Sequence, residues 1–279
     1  MNRGGDMKAK VSKVILYIVL IFIAIICFMP FYIMIINCTQ SSADIAQKIL
    51  FLPGKSFMAN YRRMQTSVNI WDGFKNSVVI SALNTALSAY FGALTAYAFS
   101  KFKFKGNKIL FAIVLGTMMF PSQLGLIGLF KVYTSLHLVN NILSLILPGI
   151  ANANLVFFIK LYIDAAVNDS IIESARIEGC GEFKIFNKVV LPIITPSIAT
   201  MSMFNFITVW NSYLVPLTVL YDEKKYTLPI MTAMAKGVYR TDYGASYMCI
   251  AISMIPIMIV FLFCSRFIIG GLTAGSVKE

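Results

Sequence analysis

The sequence predicts an all-α, polytopic membrane protein with six transmembrane helices and one structured loop on the cytoplasmic side. Composition, the spacing of uncharged stretches and the placement of Lys and Arg carry that reading. Of 279 residues, 58% are hydrophobic and 13% charged, against roughly 25% charged in an ordinary soluble domain, and mean hydropathy is +0.77. Such a chain is neither a soluble enzyme nor disordered. Its five cysteines lack the density and pattern of a disulfide scaffold. The formal charge of +12 fits basic residues at membrane boundaries better than an affinity for nucleic acid.

Stretches without Asp, Glu, Lys or Arg cover residues 14–43, 76–100, 109–130, 132–159, 189–221 and 243–265. Each exceeds the about 20 residues that carry a helix across a hydrocarbon core of about 30 Å. Unpaired backbone groups are not tolerated in lipid, so each is expected to be helical. The first is too long for the apolar core of a signal peptide, so it is expected to stay as a helix. The second carries small residues at helical spacing, Ser81, Thr85, Ala89 and Ala93 beside Ser88, Gly92 and Ala96, a face on which helices pack closely.

An even number of spans puts both termini on one side. Arg3, Lys8, Lys10 and Lys13 before the first span, and Lys101, Lys103, Lys105 and Lys108 after the second, make that side cytoplasmic by the positive-inside rule. The expected organisation is a cytoplasmic tail at 1–13, one six-helix domain at 14–269 with a cytoplasmic loop at 164–188, and a cytoplasmic tail at 270–279.

That loop is the most informative segment. Ser170 and Glu173 have capping-box spacing for a first short helix. Gly179 and Gly181 are placed to end it, Phe183, Ile185 and Phe186 give a second amphipathic turn among Lys184 and Lys188, and Pro192 suits the first turn of the next span. Two readings are open from the pattern: a handle for a soluble partner, and a helix lying on the lipid surface.

The spacing of Glu173, Ala175, Gly179, Val189, Leu191 and Pro192 resembles the cytoplasmic signature of ATP-binding-cassette importer permeases: Glu-Ala-Ala, three residues, Gly, nine residues, Ile, one residue, Leu-Pro. Ser174 and Val189 depart from it conservatively. Tyr97-Ala98-Phe99-Ser100, Leu147-Pro148-Gly149, Trp210-Asn211, Tyr226-Thr227-Leu228-Pro229 and Gly271-Leu272-Thr273-Ala274-Gly275 extend the resemblance to nearly the whole chain and to the carbohydrate branch, the maltose-type permease. Ser212 stands where relatives often carry an acid.

The resemblance implies a sugar importer in a bacterial cell membrane. Its partners would be a second homologous permease, two ATPase subunits holding the ATP and Mg, and an extracellular or periplasmic sugar-binding protein. The chain itself would be non-catalytic and without cofactor. The loop then becomes a coupling helix seated on the ATPase, with Glu173, Ala175, Arg176, Glu178, Gly179, Leu191 and Pro192 as its residues. Glu173 would pair with an ATPase cation or cap its own helix.

Absences agree with that division of labour. The nearest string to a phosphate-binding loop, 270–278, has Ser276 where the lysine belongs. His137 has no Cys or acid at metal spacing, so no metal site is expected. No charge lies inside a span as delimited, which argues against an ion-coupled secondary transporter. That class and a permease for another solute, such as glycerol phosphate, are the alternatives.

Sugars are read by amides, hydroxyls and aromatic faces, so the pathway candidates are Gln123, Asn152, Asn154, Asn205, Trp210, Asn211 and Tyr213. Interhelical hydrogen bonding is the competing role for the amides. In the last external loop, Gly237, Tyr239 and Arg240 are candidates for contact with the binding protein, or belong to an ordinary solvated loop.

Overall fold

The computed structural model describes residues 3–235 and 242–274. Regular structure among the described residues is helical throughout: α1 (Arg3–Asn37), α2 (Ser42–Gln47), α3 (Phe57–Ser67), α4 (Ile70–Lys101), α5 (Asn107–Met119), α6 (Leu126–Ser135), α7 (Leu143–Ile146), α8 (Ala153–Ala166), α9 (Asp169–Ile177), α10 (Glu182–Ile185), α11 (Leu191–Trp210), α12 (Leu214–Val219), α13 (Leu228–Met234) and α14 (Tyr243–Ala274). Five stretches are long and apolar enough to cross a bilayer: Val11–Asn37, Ile70–Lys101, Leu143–Ala166, Glu182–Trp210 and Tyr243–Ser265. A bent pair, Asn107–Met119 with Gln123–Ser135, makes six when counted as one span. The chain divides into two compact units, Met1–Val68 with Thr232–Ile252, and Asn69–Met231 with Ser253–Glu279.

In the first unit, none of the apolar window of α1 is buried inside the chain, and Phe22 is 63% exposed. A helix apolar on every side requires an apolar surrounding, which lipid provides. The chain leaving α1 is tied down by polar contacts. Asn60 Nδ2 donates to the carbonyls of Cys38 (2.7 Å) and Gln40 (2.8 Å). Asp242 accepts from Arg63 Nε (2.6 Å) and Ser42 Oγ (2.7 Å).

In the second unit α4 is the central column. One apolar cluster, around Tyr97, Ile159, Ile163, Ile185 and Phe186, joins its C-terminal half to α8, α10 and α11. A second, around Ile80, Tyr133, Leu145, Ile146, Val219 and Leu220, packs its N-terminal half. The small face of α4 serves this packing. Gly92 lies so close to Leu155 that a Cβ would overlap its side chain.

The third, fourth and fifth spans differ most from their expected limits. The third, expected as one helix over 109–130, breaks at Pro121: Phe120 is extended at φ −85°, ψ 125°, as a residue before proline prefers, and the halves meet at 95°. The fourth, expected at 132–159, runs instead over Leu143–Ala166, because the chain turns through His137 (φ 53°) and Asn140 (φ 58°). A turn made of uncharged residues is invisible to a rule based on charge. Lys160 and Asp164 consequently fall within α8, where they pair at 2.6 Å. The fifth, expected at 189–221, starts at Glu182 and ends at Trp210, with α12 a separate short helix. The last stretch able to cross a bilayer is Tyr243–Ser265, within a helix, α14, that runs on to Ala274.

Candidate functional site

The loop between α8 and α11 folds as an elbow. α9 begins at the N-cap Asn168 (φ −69°, ψ 140°), whose side chain makes no capping bond. Ser170 therefore lies inside the helix, and the capping box expected of Ser170 and Glu173 does not form. Asp169 occupies the first turn, where the helix dipole favours an acid. At the other end, the amide of Gly179 donates to the Arg176 carbonyl (2.9 Å) and that of Cys180 to the Ala175 carbonyl (3.0 Å), the Schellman pattern. It needs a left-handed residue, and Gly179 has φ +78°. A side chain there would meet open space, so conformation, and not crowding, selects glycine.

The elbow is fixed to the bundle on both sides. Ile172 and Ala175 turn inward and join the cluster of Tyr97, Ile185 and Phe186. Ala175 is small to fit this chain's own core. At its base, Lys101 Nζ donates to the Val167 carbonyl (2.6 Å) and pairs with Asp169 (2.6 Å). The ammonium holds the Asp169 carboxyl below the usual carboxylate range. Arg176 Nε pairs with Glu182 (2.5 Å), and Tyr97 donates its hydroxyl to the other Glu182 oxygen (3.0 Å). Arg176 is thus occupied within the chain.

Glu173 and Glu178 stay exposed. So do two apolar tips, Ile177 (87%) and Phe183 (65%). Beyond the elbow, α10 runs into α11 through a widened turn at Phe186–Val190, where the Leu191 amide donates to the Phe186 carbonyl. A proline cannot donate and crowds the carbonyl four residues back. The widened turn lets Pro192 follow without ending the helix.

Inside the bundle, amides and hydroxyls from α4, from α11 and from the residue that caps α8 converge. Asn205 Nδ2 donates to Asn84 Oδ1 (3.0 Å) and approaches Thr85 Oγ1 and Ser88 Oγ (each 3.3 Å). Asn152 Nδ2 donates to Asn205 Oδ1 (2.8 Å), while Asn152 Oδ1 caps α8 at the Leu155 amide (3.1 Å). Asn84 Nδ2 also donates to the Leu145 carbonyl (2.9 Å) and Ser88 Oγ to the Gly149 carbonyl (2.9 Å). Beside this hub lies a cavity of about 240 Å3 whose wall is mostly apolar, from Ile80, Leu129, Leu145, Val209 and Val215, with Ser81, Asn84 and Thr227 among its polar members. The Ser81 and Thr227 hydroxyls have no hydrogen-bond partner among the described residues.

Of the pathway candidates, the fold unites Asn152 and Asn205. Trp210 is instead a structural anchor, 1% exposed, donating its indole N–H to the Ser253 carbonyl (3.0 Å) and stacked on Phe206. Asn211 is exposed and bonded to its own helix at Ile207. Gln123, Asn154 and Tyr213 are exposed. Gly237, Tyr239 and Arg240 lie outside the described residues. Sequence reasoning did not single out Asn84, Ile177 or Glu182, and used Lys101 only as a marker of the cytoplasmic side. Asn84 carried a signal, an amide on the small face of α4.

The model of the family described as "Binding-protein-dependent transport system inner membrane component" matches residues 88–273, which includes the elbow and the hub's Asn152 and Asn205. The chain belongs to this family of permeases. The arabinooligosaccharides transport system permease protein AraQ of Halalkalibacterium halodurans is 33% identical to the permease, over 98% of this chain and all of the relative. The trehalose/maltose transport system permease protein MalG of Thermococcus litoralis is 32% identical over 98% and 99%. A chain from a bacterial ABC transporter involved in import of the acidic polysaccharide alginate superposes on the permease with TM-score 0.78 at 22% identity, covering 93% of this chain and 97% of that one. The likeness to that structure is one of fold. The permease carries no group of three or more His, Cys, Asp or Glu able to hold a metal among the described residues.

Proposed function

We propose that the permease forms half of the passage in an ATP-driven, binding-protein-dependent importer of oligosaccharides. The observation that carries this is the elbow: held to the bundle by Lys101, Tyr97 and a buried apolar face, it leaves Ile177, Phe183, Glu173 and Glu178 free for a partner. A second homologous permease supplies the other half of the passage. Two ATPase subunits hold the ATP and Mg and do the hydrolysis. Closure of the ATPase pair pushes on the apolar tips, and the Glu182 and Lys101 contacts pass that displacement to α11 and α4 as rigid-body tilt. Glu173 and Glu178 pair with cations of the ATPase. Leu191 and Pro192 form the stiff joint at the root of α11.

Sugar as the cargo is supported by the sugars in the relatives' names and by the uncharged hub of amides and hydroxyls. Asn84, Asn152 and Asn205 offer a neutral polyol both donors and acceptors. Gln123, Asn154, Asn211 and Tyr213 complete the set of pathway candidates at exposed positions. An external sugar-binding protein delivers the cargo, with Gly237, Tyr239 and Arg240 at its contact. The elbow and both termini face the cytoplasm.

The test is the double variant Ile177→Asp, Phe183→Asp in the assembled transporter reconstituted in vesicles. ATP-driven sugar uptake is expected to disappear while insertion and the amount of permease remain unchanged. Normal uptake by this variant overturns the proposal.

A further inference from the structure

We propose that the segment joining α4 to α5 is a binding site for the headgroup of an anionic phospholipid, whose acyl chain runs along the outer face of α5. This assignment is independent of the transported solute.

Lys103, Lys105 and Lys108 line a cavity of about 790 Å3 that has no acidic side chain in its wall. None of the three enters an ion pair among the described residues, whereas the fourth lysine of the segment, Lys101, is committed to Asp169; Lys103 acts on the Asp169 carboxyl without pairing with it, and Lys105 and Lys108 share the cavity with no acid. Three like charges sharing one cavity repel each other, and a bound anion removes that repulsion. The backbone is set in advance. Asn107 Nδ2 donates to the carbonyls of Phe102 (2.9 Å) and Phe99 (3.2 Å), and Gly106 makes a left-handed turn at φ +91°.

What selects a lipid over a soluble anion is the next turn of chain. Ile109 is 69% exposed, Leu110 48% and Ile113 58%, and no charge follows Lys108 until Lys131. The surface passes from ammonium to hydrocarbon within one helical turn, the same division that a phospholipid carries along its own length. Inorganic phosphate would satisfy the lysines and leave the apolar stripe bare. The Lys101 contact to Asp169 puts the cavity at the elbow's end of the bundle, and Lys103 also lines a second cavity with Ile172, Glu173 and Arg176. A lipid here touches the base of the elbow.

The experiment is native mass spectrometry of the full chain in detergent micelles, titrated with dioleoylphosphatidylglycerol or with dioleoylphosphatidylcholine, which has the same acyl chains. A basic residue near an anionic membrane surface contributes about a fivefold preference, so the triple variant K103Q/K105Q/K108Q is expected to lose roughly a hundredfold of the preference for phosphatidylglycerol. The triple arginine variant and the control K48Q/K55Q/K75Q should keep it. Adding salt to the wild type should erase it, a measurement that needs no variant to fold. Equal binding of the two lipids overturns the proposal, as does a preference that survives in the glutamine variant. Displacement of the lipid by equimolar glycerol phosphate would assign the cavity to a soluble anion, and displacement by polyglutamate to an acidic protein. Either result also overturns it.

Discussion

Gly179 illustrates how far a single residue type can be read. Its place in the spacing marked it as a turn, and a turn it is, but the reason lies in φ +78° and not in crowding. A β-branched residue in that conformation costs roughly 1–2 kcal/mol, enough to unwind the end of α9. We expect Gly179→Val to lower ATP-driven uptake at least tenfold with insertion unchanged, and Gly179→Asn, which tolerates the left-handed region, to retain most of it. Uptake by vesicles containing the two variants decides this. Ala175 and Trp210 were legible as important but not in their facing. Both look into the chain, and neither residue type announces which side of a helix meets a neighbour. Asn205 shows the complementary case, since a residue bonded from both ends of its amide acts as structure before it acts on cargo. Interhelical bonds in membranes contribute about 0.6 kcal/mol each, so Asn205→Leu is expected to lower thermal stability by about 1–2 kcal/mol. If the hub also touches sugar, the KM for uptake rises with it. Melting curves and initial rates of the same preparation separate the two effects.

Among the elements, the elbow was the best-read part of the molecule. Two short helices around a glycine turn follow from amphipathic spacing alone. What spacing does not contain is the fastening of that elbow, because Lys101 and Tyr97 are remote in sequence from Asp169 and Glu182 and meet them only after α4 and α8 have packed. The Lys101–Asp169 pair sets a pH limit whose sign is fixed. A carboxyl held low in the folded state lends stability above its ordinary pKa of about 3.9 and loses it as pH falls through the folded value. The elbow of the wild type should therefore exchange its amide hydrogens slowly and uniformly from neutral pH down to about pH 4, and open below that range. Asp169→Asn should exchange faster already at neutral pH. Hydrogen exchange across residues 167–180, corrected for the intrinsic effect of pH, is the measurement. Helix ends within the bilayer were less legible. Pro121 and the Asn140 turn interrupt apolar runs without any charge, so counting charges merged what the backbone separates.

For the whole molecule, composition and the spacing of the apolar runs were enough to establish a helical membrane body. The polar hub was not foreseeable as a unit, since its members lie on α4, on α11 and just before α8, and only packing brings them together. Gly149 holds that packing in place: a Cβ there would press into the Asn84 backbone carbonyl. We expect Gly149→Leu to abolish stable insertion, read as loss of the protein from membranes, where a surface change such as Lys48→Gln leaves it intact. The hub has one further property. Asn84, Thr85, Ser88, Asn152 and Asn205 are all electrically neutral, so rearranging them displaces no unit charge through the field across the bilayer. An ionised group moved across the whole field would exchange roughly 2.3 kcal/mol per 100 mV. Rearranging these five side chains alone therefore draws no work from the membrane potential, and any dependence of the permease on that potential has to arise elsewhere, at groups such as Lys160 and Asp164 of α8.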